Sequence, residues 1–229
     1  MCGKFTAMAS WAEVVAFSQP LTMERYDNRT NDQSVNFRVM SNLPVIIWDR
    51  AQQKRRVVPM RWGFPHPKNP GIPQPIHARS ETIDTTPAFA DAFRFGQRGI
   101  VLIRSFNEGR ELENGKTEQH TITMGDVNAA GLAFVWRSFD LGLPLPLNAC
   151  VMVTVPANKL IAALPTSRMP AVLAEEDWGK WLGEEDAPLA DVKACLKTVE
   201  GVNWTMKKEE KVEKGKRSKP NVSDPTGRL

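Results

Sequence analysis

Short apolar runs, several of them alternating with polar residues, dominate the middle of the chain and predict β-strands. Most runs are rich in Val, Ile, Phe or Trp and are bounded by turn-forming residues, as strands usually are. The predicted strands are Leu43–Trp48, Arg56–Trp62, Gly99–Phe106, His120–Met124, Leu132–Ser138 and Ala149–Val155. A polar stretch at 25–38 and a Pro-rich stretch at 64–75 are predicted to be loops, and the second is stiff enough to shape a binding cleft.

Helical periodicity is rarer and shows no regular alternation with the strands. The capping-box sequence Ser10–Glu13 predicts a first helix, and Thr86-Pro87 predicts a helix that runs to about Phe93. Further helical patterns lie at Asn158–Leu164, Glu175–Leu182 and Leu189–Lys197. We therefore expect a single α+β domain with a mostly antiparallel, barrel-like β-sheet core flanked by helices.

The composition narrows the class of protein. The chain of 229 residues is 41% hydrophobic and 24% charged, which is typical of one globular domain. It has no apolar run long enough to span a membrane and no apolar signal segment, so we expect a cytoplasmic protein without membrane contact. Its three cysteines do not form a disulfide framework, and the spacing of its three histidines argues against structural zinc. We expect neither a metal nor a cofactor.

The positive charge is concentrated at the C-terminal end. Residues 207–229 hold eight basic and four acidic residues, which accounts for the net charge of +4, because the charges of residues 1–206 cancel. This segment has almost no large apolar residue, so we predict a domain of residues 1–206 followed by a disordered basic tail. The tail either adds non-specific attraction to nucleic acid phosphates or is simply solvated.

Cys2 directly follows the initiator methionine, a position with distinctive chemistry. Removal of Met1 would leave a free α-amine and a thiol on adjacent carbons, with unperturbed pKa values of about 7.7–8.0 and about 8.5. Such a 1,2-aminothiol condenses with an aldehyde: the amine forms an imine, and the thiolate closes a five-membered thiazolidine ring. A small residue at a frayed chain start is the alternative explanation of Cys2.

Four short motifs, in order along the chain, resemble the SRAP (SOS-response-associated peptidase) family. They are Met1–Phe5, Arg61–Gly63, Ile76–Thr82 and Ser167–Pro170, and the resemblance runs over roughly residues 2–206. It implies a single α+β domain with a β-barrel-like core that binds single-stranded DNA. It also implies a covalent thiazolidine between the N-terminal cysteine and the ring-opened aldehyde of an abasic site.

The resemblance assigns roles to individual residues. Cys2 matches the family nucleophile, and Glu108 falls where the family has its acidic catalytic residue, which can exchange protons with the amine. Trp62 lies beside the Pro-rich loop, where it can either stack on exposed bases or pack in the core. The residues expected to contact DNA are Arg79, Lys4, Arg38, Trp62 and Arg168, with Arg79 as the main phosphate contact.

Two positions of the predicted catalytic site, besides Cys2 and Glu108, carry residues that differ from the family pattern. His77 stands where the family usually has asparagine, and Thr166 stands where it usually has histidine. Thr166 can donate and accept a hydrogen bond but cannot act as a general acid near neutral pH. His77 either takes over part of that function or hydrogen-bonds the loop backbone. Lys4 also replaces an arginine, and Arg104–Gly109 replaces a more aromatic segment.

The sequence thus predicts a monomeric DNA-damage protein that crosslinks to abasic sites in single-stranded DNA. We expect it in the cytoplasm of a bacterium or in a phage-derived setting, associated with the nucleoid when it is bound to DNA. Two alternatives stay open. One is a module that binds single-stranded DNA without covalent chemistry, and the other is a thiol peptidase limited to removing its own Met1.

Overall fold

The computed structural model describes residues 4–7, 36–125 and 129–209. The predicted helix from Ser10, the residue Cys2 and most of the basic tail lie outside these residues. The strands are β1 (Lys4–Ala7), β2 (Asn36–Arg38), β3 (Asn42–Asp49), β4 (Lys54–Trp62), β5 (Pro65–His66), β6 (Asn69–Pro73), β7 (His77–Arg79), β8 (Arg98–Glu111), β9 (Thr117–Met124), β10 (Ala130–Phe139), β11 (Leu147–Pro156), β12 (Arg168–Pro170), β13 (Val172–Leu173) and β14 (Trp204–Lys208). The helices are α1 (Ala90–Arg94), α2 (Lys159–Ala162), α3 (Trp178–Leu182) and α4 (Leu189–Ala194), with 3-10 turns at Ser80–Thr82 and Glu175–Asp177.

Five strands close into a barrel, which confirms the predicted fold class. Their order is β10, β11, β4, β3 and β8, and the ring closes because β8 also pairs with β10. Four of these pairings are antiparallel, and β11 with β4 is the parallel one. Closure satisfies the backbone groups that an open sheet edge would expose. Strands β1 and β9 pair with β8, strands β7 and β12 pair with β11, and β5 and β6 form a separate two-stranded sheet.

Strand β8 is buried on both faces where it belongs to the barrel. Its residues Ile100, Val101, Leu102 and Ile103 are at most 3% exposed, which explains why this run is continuously apolar and does not alternate. One face lines the barrel interior, and helix α3 packs over the strand from outside. The indole Nε1 of Trp181 donates a hydrogen bond of 3.0 Å to the carbonyl of Gly99, and this tryptophan is fully buried in the core.

A buried arginine ties two helix ends to the barrel. Arg98 is 4% exposed and donates hydrogen bonds to the carbonyls of Phe93 and Trp181, which lie near the C-terminal ends of α1 and α3. Burial, with the nearby positive charge of Arg50, lowers the pKa of Arg98 to about 10. A cation is favourable at this place because helix C-termini carry partial negative charge.

Several predicted boundaries were wrong. The sequence predicts a helix start at Thr86-Pro87, but these residues form a turn. The carbonyl of Thr86 accepts hydrogen bonds from the amides of Phe89 and Ala90, and helix α1 begins only at Ala90. The sequence predicts that this strand ends at Phe106, but pairing with β9 carries β8 on to Glu111.

Two other segments also differ from the prediction. Residues 36–38 form a strand paired with β1. The Pro-rich segment contains the hairpin β5–β6. Arg61 donates a 3.2 Å hydrogen bond to the carbonyl of Pro70 in this hairpin. Strand β14 includes Lys207 and Lys208, the first two residues of the basic segment 207–229.

The barrel leaves no room for a side chain at Gly99. A Cβ there would lie 2.4 Å from Cγ1 of the buried Val45 and 3.1 Å from the carbonyl oxygen of Ile46. We expect Gly99→Ala to lower the free energy of unfolding by about 1–3 kcal/mol, the usual cost of overpacking a core, as measured by urea denaturation. Gly71→Ala in exposed strand β6 is the control, and equal losses for both variants would contradict this account of the barrel.

Candidate functional site

The N-terminal strand β1 lies between β2 and β8, and its register sets Lys4 opposite the residue that precedes a buried carboxylate. Lys4 pairs with Arg38 on one side and with Asn107 on the other. The residue that follows Asn107 is Glu108, whose side chain is buried, with 1% of the residue exposed. A carboxylate is almost never buried without a structural or chemical reason, so this position is the first candidate for chemistry.

Glu108 sits at the polar end of an otherwise apolar surface formed by β8, β9 and β14. On the same face of β8, Phe106 packs edge-on against Trp204 of β14, with ring centroids 6.1 Å apart. Across the β8–β9 ladder, Phe106 faces Ile122 and Glu108 faces His120. Glu108 therefore lies on the same face of β8 as this apolar contact, one ladder position beyond it.

The neighbouring residue Asn107 anchors this part of β8. It is 3% exposed, and its Nδ2 donates a 3.0 Å hydrogen bond to the hydroxyl of Thr121 and another bond to Glu209. Thr121 donates a hydrogen bond of 3.0 Å to the same carboxylate oxygen of Glu209. Glu209 belongs to the segment 207–229, and these bonds connect it to β8 and β9.

A second group of predicted residues lines a cleft of about 270 Å³ beside β7 and β12. His77 and Arg79 lie on β7, which runs parallel to β11 and pairs His77 with Met152. His77 is half-buried and Arg79 is exposed, and Arg168 closes the opposite wall from β12. The segment from Gln74 to Ile76 completes the rim, so the Pro-rich loop does shape a cleft as predicted.

Arg168 is held in place by a carboxylate and a backbone carbonyl. Its guanidinium makes a two-pronged contact with Glu81, with N–O distances of 2.5 and 2.9 Å, and it also bonds the carbonyl of Thr154. These hydrogen bonds lower the pKa of Glu81 to about 2. With its two terminal nitrogens engaged in this way, Arg168 fits a wall of the cleft better than a direct phosphate contact.

Trp62 does not offer the stacking surface that the sequence suggested. Its side chain is fully buried, and the indole nitrogen donates a hydrogen bond of 3.2 Å to the carbonyl of Ile76. One ring edge contacts His77, with centroids 6.4 Å apart. The structure corrects the predicted role: Trp62 supports the position of His77 and the start of β7, and it presents no free face to a base.

The remaining predicted residues fall into the same two regions. Lys4 and Arg38 lie on the ladder that also carries Asn107, and Arg38 is exposed. Thr166 precedes β12, and its hydroxyl and the backbone of Arg168 are hydrogen-bonded to each other. It is therefore linked to the cleft through Arg168 and is not one of its lining residues.

Sequence reasoning missed His120. It was considered only as a zinc ligand, and the described residues contain no group of three or more His, Cys, Asp or Glu side chains that could hold a metal. The available signal was its place in an alternating strand that follows Glu108, but only the register of the β8–β9 hairpin sets the two residues opposite each other. Within the described ranges, no helix is long and apolar enough to cross a membrane.

Fold and site together define a single-domain α+β protein built on a closed barrel, with its N-terminal strand paired beside a buried glutamate. A family model described as SOS response associated peptidase (SRAP) matches residues 1–214. The chain belongs to this family, which associates it with the SOS response to DNA damage. No curated protein matches the chain.

Solved structures show the same fold at low sequence identity. A protein from Bacteroides thetaiotaomicron has a TM-score of 0.74 and 18% identity over 91% of this chain and 92% of its own. A protein from Bordetella bronchiseptica has a TM-score of 0.72 and 18% identity over 91% of this chain and all of its own. A phage-related protein from the same organism has a TM-score of 0.64 and 17% identity over 92% and 95%.

The Glu81–Arg168 pair should make stability depend on pH. Because folding lowers the pKa of Glu81 from 4.5 to about 2, its contribution is complete above about pH 5 and is lost as the pH falls towards 2. The Glu81 side chain is 48% exposed, so solvent screening limits the contribution to roughly 0.5–1 kcal/mol. We expect Glu81→Gln to lower the free energy of unfolding by that amount near neutral pH, in urea titrations.

The difference between wild type and Glu81→Gln should shrink in the same titrations as the pH approaches 2. Glu176→Gln removes an exposed carboxylate of the second 3-10 turn and serves as the control, for which we expect no comparable loss. A deficit of Glu81→Gln that stays constant down to pH 2 would mean that the ion pair is not its cause.

Proposed function

We propose that the protein binds single-stranded DNA and crosslinks covalently to abasic sites through Cys2. The observation that carries this proposal is the pairing of Lys4 with Asn107, next to the buried Glu108. Cys2 is two positions before Lys4, and two residues of extended chain span at most about 7 Å. The α-amine and thiol of Cys2 are thus tethered within reach of a buried acid–base group.

The reaction follows from the aminothiol. Hydrolysis of the Met1–Cys2 peptide bond first frees the α-amine. The amine then adds to the aldehyde of the ring-opened abasic sugar, and loss of one water gives an imine. Finally the thiol adds across the C=N bond: sulfur bonds to the former aldehyde carbon, and the thiol proton ends on nitrogen. One aldehyde and one aminothiol thus give one thiazolidine and one water.

Glu108 supplies the proton transfers in this proposal. The amine must lose a proton before it attacks, and the hydroxyl of the carbinolamine must gain one before it leaves as water. One carboxyl group beside the reacting atoms can do both in turn, and such assistance typically contributes about 10²–10⁴-fold in rate. Burial keeps competing water away from the group and strengthens its electrostatic interactions.

The cleft beside β7 is the proposed path of the DNA strand. Arg79 is exposed at its rim, and Arg38 is exposed on β2, so both are accessible to phosphates. Arg168 holds the cleft wall through Glu81. Arg79 and Arg38 are expected to dominate the affinity for single-stranded DNA, because phosphate contacts supply most sequence-independent binding. We also propose that the protein is a monomer and that it acts in the cytoplasm, in a bacterial or phage-derived setting.

One observation favours a weaker form of this function. The hydroxyl of Thr166 is engaged with the backbone of Arg168 and has no proton to exchange near neutral pH, so that position adds no acid–base catalysis. A module that only binds single-stranded DNA is therefore the second candidate. A denaturing gel separates the two after incubation with an abasic single strand. A heat-stable shifted band is expected for the crosslinker, and salt-sensitive binding without such a band would show the module.

Replacement of the nucleophile gives the sharpest mutational prediction. Cys2→Ala removes the thiol, so we expect no heat-stable thiazolidine on the denaturing gel while non-covalent affinity for an intact single strand stays within about twofold. Cys195→Ala is the matched control, because this cysteine is buried in the core, where burial raises the pKa of its thiol. Normal crosslinking by Cys2→Ala would rule out the thiazolidine.

Arg79 should act mainly on affinity. Removal of one phosphate contact lowers the slope of log K against log salt by roughly one unit, so Arg79→Ala should bind single-stranded DNA more weakly and with a shallower salt dependence. Arg94→Ala is the control, because Arg94 lines a separate surface cavity with Asp84 and Lys193. An unchanged slope for Arg79→Ala would give this arginine a structural role.

A further inference from the structure

His120 lies directly opposite Glu108 in the antiparallel β8–β9 ladder. Residues opposite each other in such a ladder project from the same face of the sheet, with Cβ atoms about 4.5–5.5 Å apart. The register therefore places an imidazole beside the buried carboxylate of the proposed site. Imidazole is the side chain best suited to exchange protons near neutral pH.

The two imidazole nitrogens have different surroundings. Nε2 lies 3.3 Å from a carboxylate oxygen of Glu118, which is two residues earlier on the same face of β9. Nδ1 is buried and has no hydrogen-bond partner among the described residues. A buried ring nitrogen without a partner is costly in a purely structural histidine, so this arrangement calls for an explanation.

Glu118 forms the outer end of the cluster. Its second carboxylate oxygen pairs with Lys208 of β14, whose side chain is 64% exposed. The hydrogen bond from Lys208, with the positive charges of His120 and Arg110, lowers the pKa of Glu118. The charged groups that face His120 are thus Glu108 and Arg110 on β8, Glu118 on its own strand and Lys208 on β14. This row leads from a buried carboxylate to an exposed ion pair.

We propose that His120 is a positioning residue that relays protons between Glu108 and solvent at Glu118. The inference rests on the proposed crosslinking reaction. When Glu108 gives its proton to the departing carbinolamine hydroxyl, the imidazolium of His120 donates a proton to Glu108. His120 then regains a proton from solvent at its Glu118 side. No bond other than those to protons changes in the relay, and Glu108 is ready for the next transfer.

The relay explains two features that folding alone does not require. A carboxylate that is 1% exposed has little direct contact with water, so repeated acid–base work needs another route for protons. His120 stands opposite the inner carboxylate in the ladder and has its Nε2 on an outer carboxylate, so it can provide that route. Thr166 offers none, because its hydroxyl does not titrate near neutral pH.

The test is the rate of crosslinking to an abasic single strand under single-turnover conditions, measured as a function of pH. His120→Gln keeps a hydrogen-bonding side chain but cannot carry a proton. We expect its maximal rate to fall about 100-fold, at the lower end of general acid–base effects. We also expect its crosslinking rate to lose the change with pH that wild type shows between about pH 5 and 8. Affinity for the intact strand should stay within about twofold. His66→Gln, the same change in hairpin β5–β6, should behave as wild type.

A double variant separates the relay from a merely structural role. If His120 acts through Glu108, then His120→Gln should cost little further rate once Glu108→Gln is present. If the rate losses of the two single variants multiply in the double variant, the relay is overturned and the proposed function stays intact. The same holds if His120→Gln still crosslinks and its pH profile is unchanged. Failure of wild type to crosslink at all would instead overturn the proposed function, and the relay with it.

Discussion

Strand β8 carries two sets of partners along its length, and the rest of the structure depends on this division. Its first half closes the barrel against β10, while its second half pairs with β1 and β9 outside the ring. The register of the second half decides which residues are buried. Because neighbouring residues of a strand face opposite sides, a slip by one position would turn Glu108 to the opposite face of the sheet, away from His120.

The same barrel supports the cleft from the other side of β10. Strand β11 is a direct neighbour of β10, and it also holds β7 and β12, which carry His77, Arg79 and Arg168. Two rigid barrel strands with one common neighbour therefore support the buried carboxylate and the basic cleft. Side chains on β-strands keep their positions more closely than side chains on loops. Acid–base chemistry on a bound DNA strand requires such positioning.

The fold was largely predictable because apolar runs at strand length and the absence of a βαβ rhythm define an antiparallel barrel. The ends of elements were harder: Asn107 and Glu108 resemble a turn, and only pairing with β9 makes them a strand. Burial at Trp62 also depends on contacts made across the fold. His120 shows the same limit, because its relation to Glu108 arises from a hairpin register that a polar, alternating sequence leaves open.

The central claim is that the N-terminal aminothiol reacts with an abasic site beside Glu108. The most direct measurement is mass spectrometry of the peptide that stays attached to DNA after the crosslinked protein and its DNA are digested. We predict a peptide that begins at Cys2, lacks Met1 and carries the sugar with the loss of one water. An adduct on a lysine side chain, or a crosslinked peptide that retains Met1, would contradict the account.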